Sequence, residues 1–196
     1  MSRAPELVVL DRDGVLNRLV VHRAGGLPES PHALAETELL PGVAEAVRRL
    51  TDAGIVVAIA TNQPAAAKGQ VTRDELDRIH ARIVAEAEAA GGRIAGSFIC
   101  HHRAEDGCSC RKPLPGLLRD ALAALPGARA EAAWMVGDRA TDVLAGHALG
   151  FRTALVGPAW PSDEELLKSK GLAPSFRGRD LQEFVDFRLK SVGPSE

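Results

Sequence analysis

Short runs rich in Val, Ile and Leu recur along the chain, separated by longer segments whose apolar residues fall three and four apart. The runs cover residues 7–10, 55–60, 94–99, 133–136 and 153–156. Short apolar runs of this length, bounded by turn residues, read as strands. Between them the period is helical. After Pro41-Gly42, the side chains of Val43, Ala46, Val47 and Leu50 share one face of a helix that Gly54 can stop in the left-handed conformation. Thr72-Arg73-Asp74-Glu75 predicts a capping box, with Thr72 and Glu75 each satisfying an amide of the first turn. Leu76, Ile79 and Ile83 then form a stripe that ends at Gly91-Gly92. Helices are predicted over 115–125 and over 141–149, the second stopped by Gly150. Residues 163–169 and 180–190 read as helices of a C-terminal extension, and 193–196 as a frayed tail. This alternation predicts β-α-β units around a mostly parallel sheet, an α/β Rossmann-like fold. Two stretches, 18–37 and 101–114, lack periodicity, and long loops of that kind in α/β domains tend to carry function.

Length and charge narrow the classes. At 196 residues, one domain spanning 1–196 is expected, with a core over about 7–157 and the extension over about 158–190. The 24 basic and 26 acidic side chains give a net charge of −2 without any like-charged block, which argues against nucleic acid or a membrane surface as partner. Residues 1–6 contain no apolar stretch, and no run approaches the roughly 18 apolar residues of a membrane span. A soluble, cytoplasmic, monomeric protein is expected. All three cysteines fall within 100–110, a spacing unlike a dispersed disulfide framework.

The first strand runs into Asp11-Arg12-Asp13-Gly14, so two carboxylates stand at a strand's carboxyl end, where ligands gather in open α/β sheets. The second strand ends in Thr61-Asn62-Gln63, and the fourth in Gly137-Asp138-Arg139 with Asp142 four residues on. Arg111-Lys112-Pro113 precedes another helix. A phosphoryl group in flight spreads negative charge over its oxygens. A site for it needs a hydroxyl or amide donor, a fixed cation and Mg²⁺ held by oxygen ligands, and each is present at a strand or loop end.

Asp11-Arg12-Asp13-Gly14, Thr61-Asn62-Gln63, Lys112 and Gly137-Asp138 follow the order of the four motifs of the haloacid dehalogenase superfamily, which the chain resembles over about 7–157. Within it the chain looks like the small phosphatases, without a large cap, that act on heptose bisphosphate or histidinol phosphate. The resemblance implies that Asp11 is the nucleophile that becomes an aspartyl phosphate. It makes Asp13 the acid that protonates the leaving oxygen and then activates water. Thr61 and Asn62 are implied as phosphoryl binders, and Lys112 as the cation that offsets charge. Asp138, Asp11 and the Asp13 carbonyl are implied as the Mg²⁺ ligands.

Cys100-His101-His102 and Cys108-Ser109-Cys110 offer three thiolates and an imidazole, a set suited to closed, tetrahedral, structural Zn²⁺; the alternative is free thiols beside surface histidines. The same branch of the superfamily has a zinc loop whose pattern matches Cys100, His102, Cys108 and Cys110. The loop has few apolar anchors, so metal binding would supply its ordering energy and aim Arg111 and Lys112 at the site. Arg111 is a candidate contact for a second phosphate, or a solvated surface arginine. Asp142 is open between orienting the metal site and being an acidic charge at a helix N-terminus. Trp134 reads as core; His22, His32 and Trp160 carry no motif.

The resemblance implies a Mg²⁺-dependent phosphomonoesterase for a small phosphorylated metabolite, with D-glycero-D-manno-heptose 1,7-bisphosphate as the leading substrate. Histidinol phosphate is the alternative and a nucleic-acid 3′-phosphate a distant third. A catalytically silent zinc-bearing binding module is the rival from another class. One departure bears on substrate: where the heptose phosphatases continue with Ser-Gly, an aliphatic residue, Ala, a basic residue and Gly, this chain has Pro64-Ala65-Ala66-Ala67-Lys68-Gly69. Lys68 and Gly69 keep the pattern, while proline removes a backbone donor and alanine the hydroxyl and the glycine freedom.

Overall fold

In the computed structural model, which describes residues 5–190, all four residues of β1 (Leu7–Leu10) are buried. Their side chains alternate between two cores. Val8 and Leu10 join Val43, Val47, Ile79 and Ile83 on one face of the sheet. Leu7 and Val9 join Leu117, Leu118 and Ala145 on the other. A strand covered on both faces has no use for polar positions, which is why its apolar run is continuous.

β1 pairs in parallel with β2 (Val56–Asn62) and β4 (Ala133–Gly137), Leu10 standing opposite Ile59 and Val136. With β3 (Ile94–Cys100), β5 (Arg152–Val156) and β6 (Phe176–Gly178), the six strands run in the order β3-β2-β1-β4-β5-β6, and every pair is parallel. The chain turns from one side of β1 to the other between β3 and β4. The crevice beyond the carboxyl ends of β1 and β4 is therefore the topological switch point at which α/β sheets bind ligands.

α1 (Val43–Asp52), α2 (Arg73–Glu88) and α6 (Leu181–Lys190) contribute to the first core. α3 (Gly116–Ala123) and α4 (Ala140–His147) contribute to the second. α5 (Pro161–Ser169) packs on α4 through Leu167. Gly54 takes the expected left-handed conformation, φ 72°, after α1. Trp134 is buried, edge-on to Phe184 with ring centroids 5.3 Å apart. Among the described residues no helix is long and apolar enough to cross a membrane.

The structure departs from the sequence expectations at three places. The capping box at Thr72 is half formed: Thr72 Oγ1 accepts from the Glu75 amide at 3.2 Å, but Glu75 Oε1 accepts from the Leu34 amide at 3.0 Å, binding α2 to the 18–37 strap instead of to its own first turn. The C-terminal extension is not helical throughout, because β6 adds an edge strand before α6. Three partly exposed residues are too few to show a period. β2 also runs on through Thr61 and Asn62, which bring their polar side chains into the sheet opposite Ile99 and Cys100. The tail expected over 193–196 lies outside the described residues.

Candidate active site

At the end of β1 the chain turns sharply through Gly14, φ 82°, where a Cβ would lie 2.4 Å from Asp138 Oδ2. Only glycine permits that approach. A Cβ on Gly137 would likewise meet Asp142 Oδ2 at 2.1 Å. These two absences of side chain make room for carboxylates, and Asp11, Asp138 and Asp142 each bring an oxygen within 4.8 Å of the others. Asp138 and Asp142 are buried.

One cation faces the three acids. Lys112 is 3% exposed, and its Nζ lies 2.9 Å from Asp11 Oδ1 and 2.6 Å from Asp142 Oδ1, while donating to the Ala60 carbonyl at 2.7 Å. Its backbone is clamped by a side chain of β2: Asn62 Oδ1 accepts from the Lys112 N–H at 3.1 Å, and Asn62 Nδ2 donates to the Lys112 carbonyl at 3.0 Å. The side-chain amide of Asn62 thus holds Lys112, and Asn62 lines the same cavity as the acids. Thr61 lines the same cavity as the acids.

The balance of charge leaves a place for a further cation. Burial pushes Asp138 up to about 8, reinforced by Asp11 and Asp142. Burial also pushes Asp11 up to about 6 against the pull of Lys112. Burial alone would push Lys112 down, but Asp11 and Asp142 outweigh it and push the ammonium up. Among the described residues no hydrogen bond reaches the Asp138 carboxylate, so a buried acid points into the cavity without a donor. Hard oxygen donors, an unmatched carboxylate and excess negative charge fit Mg²⁺.

Asp13 stands across from this group, its carboxylate accepting from Asn17 Nδ2 at 2.9 Å and from Gln63 Nε2 at 2.5 Å. Arg12, fully buried, donates through Nη2 to both Asp13 oxygens at 3.1 Å. A cavity of about 400 Å³ takes in Asp11, Asp13, Thr61, Lys112 and Asp138. Its outer wall comes from the unperiodic stretch 18–37, through Leu19, Pro28 and Glu29, and from Lys68 and Arg111. Arg111 is tethered to the neighbouring loop, donating to the His102 carbonyl at 3.2 Å.

Asp142 faces two ways. Its Oδ2 accepts from the Arg139 N–H at 3.1 Å, capping α4, while its Oδ1 faces Lys112. Arg12 and Gln63 are the residues that sequence reasoning missed. An arginine between two aspartates reads as surface charge until β2 closes over it. The signal available was Gln63 itself, a third polar residue directly after a strand.

Beside the cavity the four loop residues converge. Cys100 Sγ lies 3.7 Å from Cys108 Sγ, 3.2 Å from Cys110 Sγ and 3.6 Å from His102 Nδ1, and Cys110 Sγ is 3.3 Å from the same nitrogen. A tetrahedral Zn²⁺ with its usual bond lengths would separate two sulfurs by roughly 3.8 Å, and a sulfur and a nitrogen by roughly 3.6 Å. The donors fit that ion, and all three cysteines are free thiols.

Residues 109–184 match the family model described as HAD-hydrolase-like. The chain is 37% identical over 153 residues to a D-glycero-beta-D-manno-heptose-1,7-bisphosphate 7-phosphatase of Neisseria meningitidis, covering 77% of this chain and 76% of that one. It is 32% identical over 138 residues to a D-glycero-alpha-D-manno-heptose-1,7-bisphosphate 7-phosphatase of Mycobacterium tuberculosis, covering 70% of each. A crystal structure of D,D-heptose 1,7-bisphosphate phosphatase from B. bronchiseptica, complexed with magnesium and phosphate, superposes with a TM-score of 0.77 at 32% identity, over 95% of this chain and 99% of that one.

Proposed function

The chain belongs to the HAD-like phosphatases and is a hydrolase of phosphomonoesters, and from that premise we propose that it removes the 7-phosphate of a D-glycero-D-manno-heptose 1,7-bisphosphate. One observation carries the reading: Asp11, buried at the end of β1, lies 2.9 Å from Lys112 Nζ, with Asp138 beside it and Asp13 across the cavity.

The chemistry follows from these positions. A carboxylate oxygen of Asp11 attacks phosphorus, and the bond from phosphorus to the sugar oxygen breaks as Asp13 gives that oxygen a proton. Asp13 then takes a proton from water as the water attacks phosphorus. The bond to Asp11 breaks, and inorganic phosphate leaves. Lys112 neutralises Asp11 and the incoming phosphoryl group together, and Thr61 supplies a hydroxyl donor. Asp11 and Asp138, with the Asp13 carbonyl, would hold Mg²⁺, which when bound draws charge from the phosphoryl oxygens and relieves the repulsion between two anions.

Cys100, His102, Cys108 and Cys110 in the neighbouring loop would hold Zn²⁺, which when bound would fix the segment that leads directly into Arg111 and Lys112. Arg111 and Lys68 line the outer wall of the cavity, and their charge supports reading them as the contacts of the 1-phosphate. The test is phosphate release from both anomers of the heptose bisphosphate and from histidinol phosphate, by the wild type and by Asp11→Asn. Preferential release from a heptose bisphosphate, abolished in the variant, is expected. Faster turnover of histidinol phosphate would replace the substrate, and an active Asp11→Asn would remove the nucleophile.

A further inference from the structure

Gln63 follows directly on β2 and is 1% exposed. Its Nε2 donates to Asp13 Oδ2 at 2.5 Å and to Thr61 Oγ1 at 2.8 Å, while its Oε1 accepts from Arg12 Nη2 at 2.7 Å. Both amide protons are thereby placed. A flipped amide would set its oxygen against the Asp13 carboxylate and its NH₂ against the guanidinium, so one orientation alone suits all three neighbours. The main chain is held too, its N–H donating to the Cys100 carbonyl at 2.6 Å. The side chain is anchored at root and tip.

Resting on the acid and base role read for Asp13, we propose that Gln63, backed by Arg12, is a positioning residue that holds the Asp13 carboxyl towards the reacting phosphate. A short aspartate side chain has several staggered rotamers. Proton transfer to a leaving oxygen is faster when the productive one is already occupied as substrate arrives. Asn17 and Arg12 reach Asp13 from residues close in sequence, whereas Gln63 reaches it from the neighbouring strand and so fixes it to the sheet. The Thr61 contact keeps the second amide proton occupied and the first on Asp13.

The test compares kcat/KM on heptose 1,7-bisphosphate with the first-turnover burst of nitrophenol from 4-nitrophenyl phosphate, whose leaving group needs little protonation. Wild type, Gln63→Met, Gln63→Glu and Asp13→Asn are measured side by side. Both Gln63 variants should lose roughly 30-fold or more on the sugar phosphate, mainly in kcat, while the burst rate stays within about threefold. Asp13→Asn should show the same split more strongly. Gln63→Glu keeps the acceptor for Arg12 and removes the donor to Asp13, and it carries the test should Gln63→Met fail to fold. Wild-type-like turnover of the sugar by the Gln63 variants, or equal losses in turnover and burst, overturns the proposal alone if Asp13→Asn keeps its split. An Asp13→Asn protein without the split removes the acid and base role, and this inference with it. A wild type that hydrolyses neither phosphate overturns the functional reading itself.

Discussion

Asp163 in α5 accepts a hydrogen bond from the Ala140 backbone N–H at 3.1 Å, so the C-terminal extension caps the helix whose first turn carries Asp142. The same carboxylate holds Arg139, the residue after Asp138, with Nε 2.6 Å away. Stability of the extension and geometry of the acidic cluster are thereby joined. Asp163→Ala should lower stability by about 1–2 kcal/mol through the lost cap, measured by denaturant unfolding. It should also weaken Mg²⁺ binding by calorimetry while leaving zinc content unchanged. Unaltered Mg²⁺ affinity in a destabilised variant would separate the two.

Asp11→Asn should abolish turnover and leave the metal-free protein at least as stable as wild type. The substitution hardly changes volume, and it relieves an acid whose ionisation burial already opposes, at about 6. A clear loss of thermal stability without metal would show that the Asp11 pairing with Lys112 outweighs its burial.

Asp138 and Asp11 give the metal-free protein a definite pH dependence. Both folded values, about 8 and about 6, lie above the ordinary 3.8. The folded state therefore binds more protons than the unfolded one, and the stability this contributes is present below about pH 4 and is lost as pH rises through 6 and then 8. Mg²⁺ needs the ionised carboxylates, so the rise in melting temperature on adding Mg²⁺ should grow across the same window. Melting curves with and without Mg²⁺ from pH 5 to 9 measure this; a constant increment would contradict it.

The two metals should part company under chelation. A weak chelator should remove Mg²⁺ and stop catalysis reversibly with the fold intact, since its ligands are hard oxygens. Stripping Zn²⁺ from the thiolates should raise amide exchange over 98–112. Protein grown with adequate metal and found to hold no zinc would refute the second half.

Arg111→Ala should erase most of the preference for a bisphosphate over the matching monophosphate, a loss of about 1.5–3 kcal/mol in kcat/KM for a charge-assisted bond. Monophosphate turnover should hardly change. Equal losses on both would mean that Arg111 supports Lys112 and not the distant phosphate.

β1 and β4 and the acids at their ends were legible because burial on both faces leaves an uninterrupted apolar run, and polar residues at its end stand out against it. Contacts made across strands were not. Nothing local in the sequence reveals that the side chain of Asn62 also clamps the backbone of Lys112 fifty residues on. Nor does anything near Arg12 in the sequence show that Gln63, just past β2, comes over it and buries it. Residues 18–37 show no period because they form a loop, of which Leu19, Leu27, Pro28, Glu29 and Ser30 line the cavity.

Gly14 and Gly137 leave a hidden route to loss of activity. Alanine at either would press a methyl group against a carboxylate oxygen, 2.4 Å from Asp138 Oδ2 at position 14 and 2.1 Å from Asp142 Oδ2 at position 137. Such a chain would retain each acid, hydroxyl and lysine of the motifs and still have no seat for the cation. A survey of relatives that checks only reactive side chains would count it as an enzyme, and the two hydrogens that stand in for side chains would be the better diagnostic.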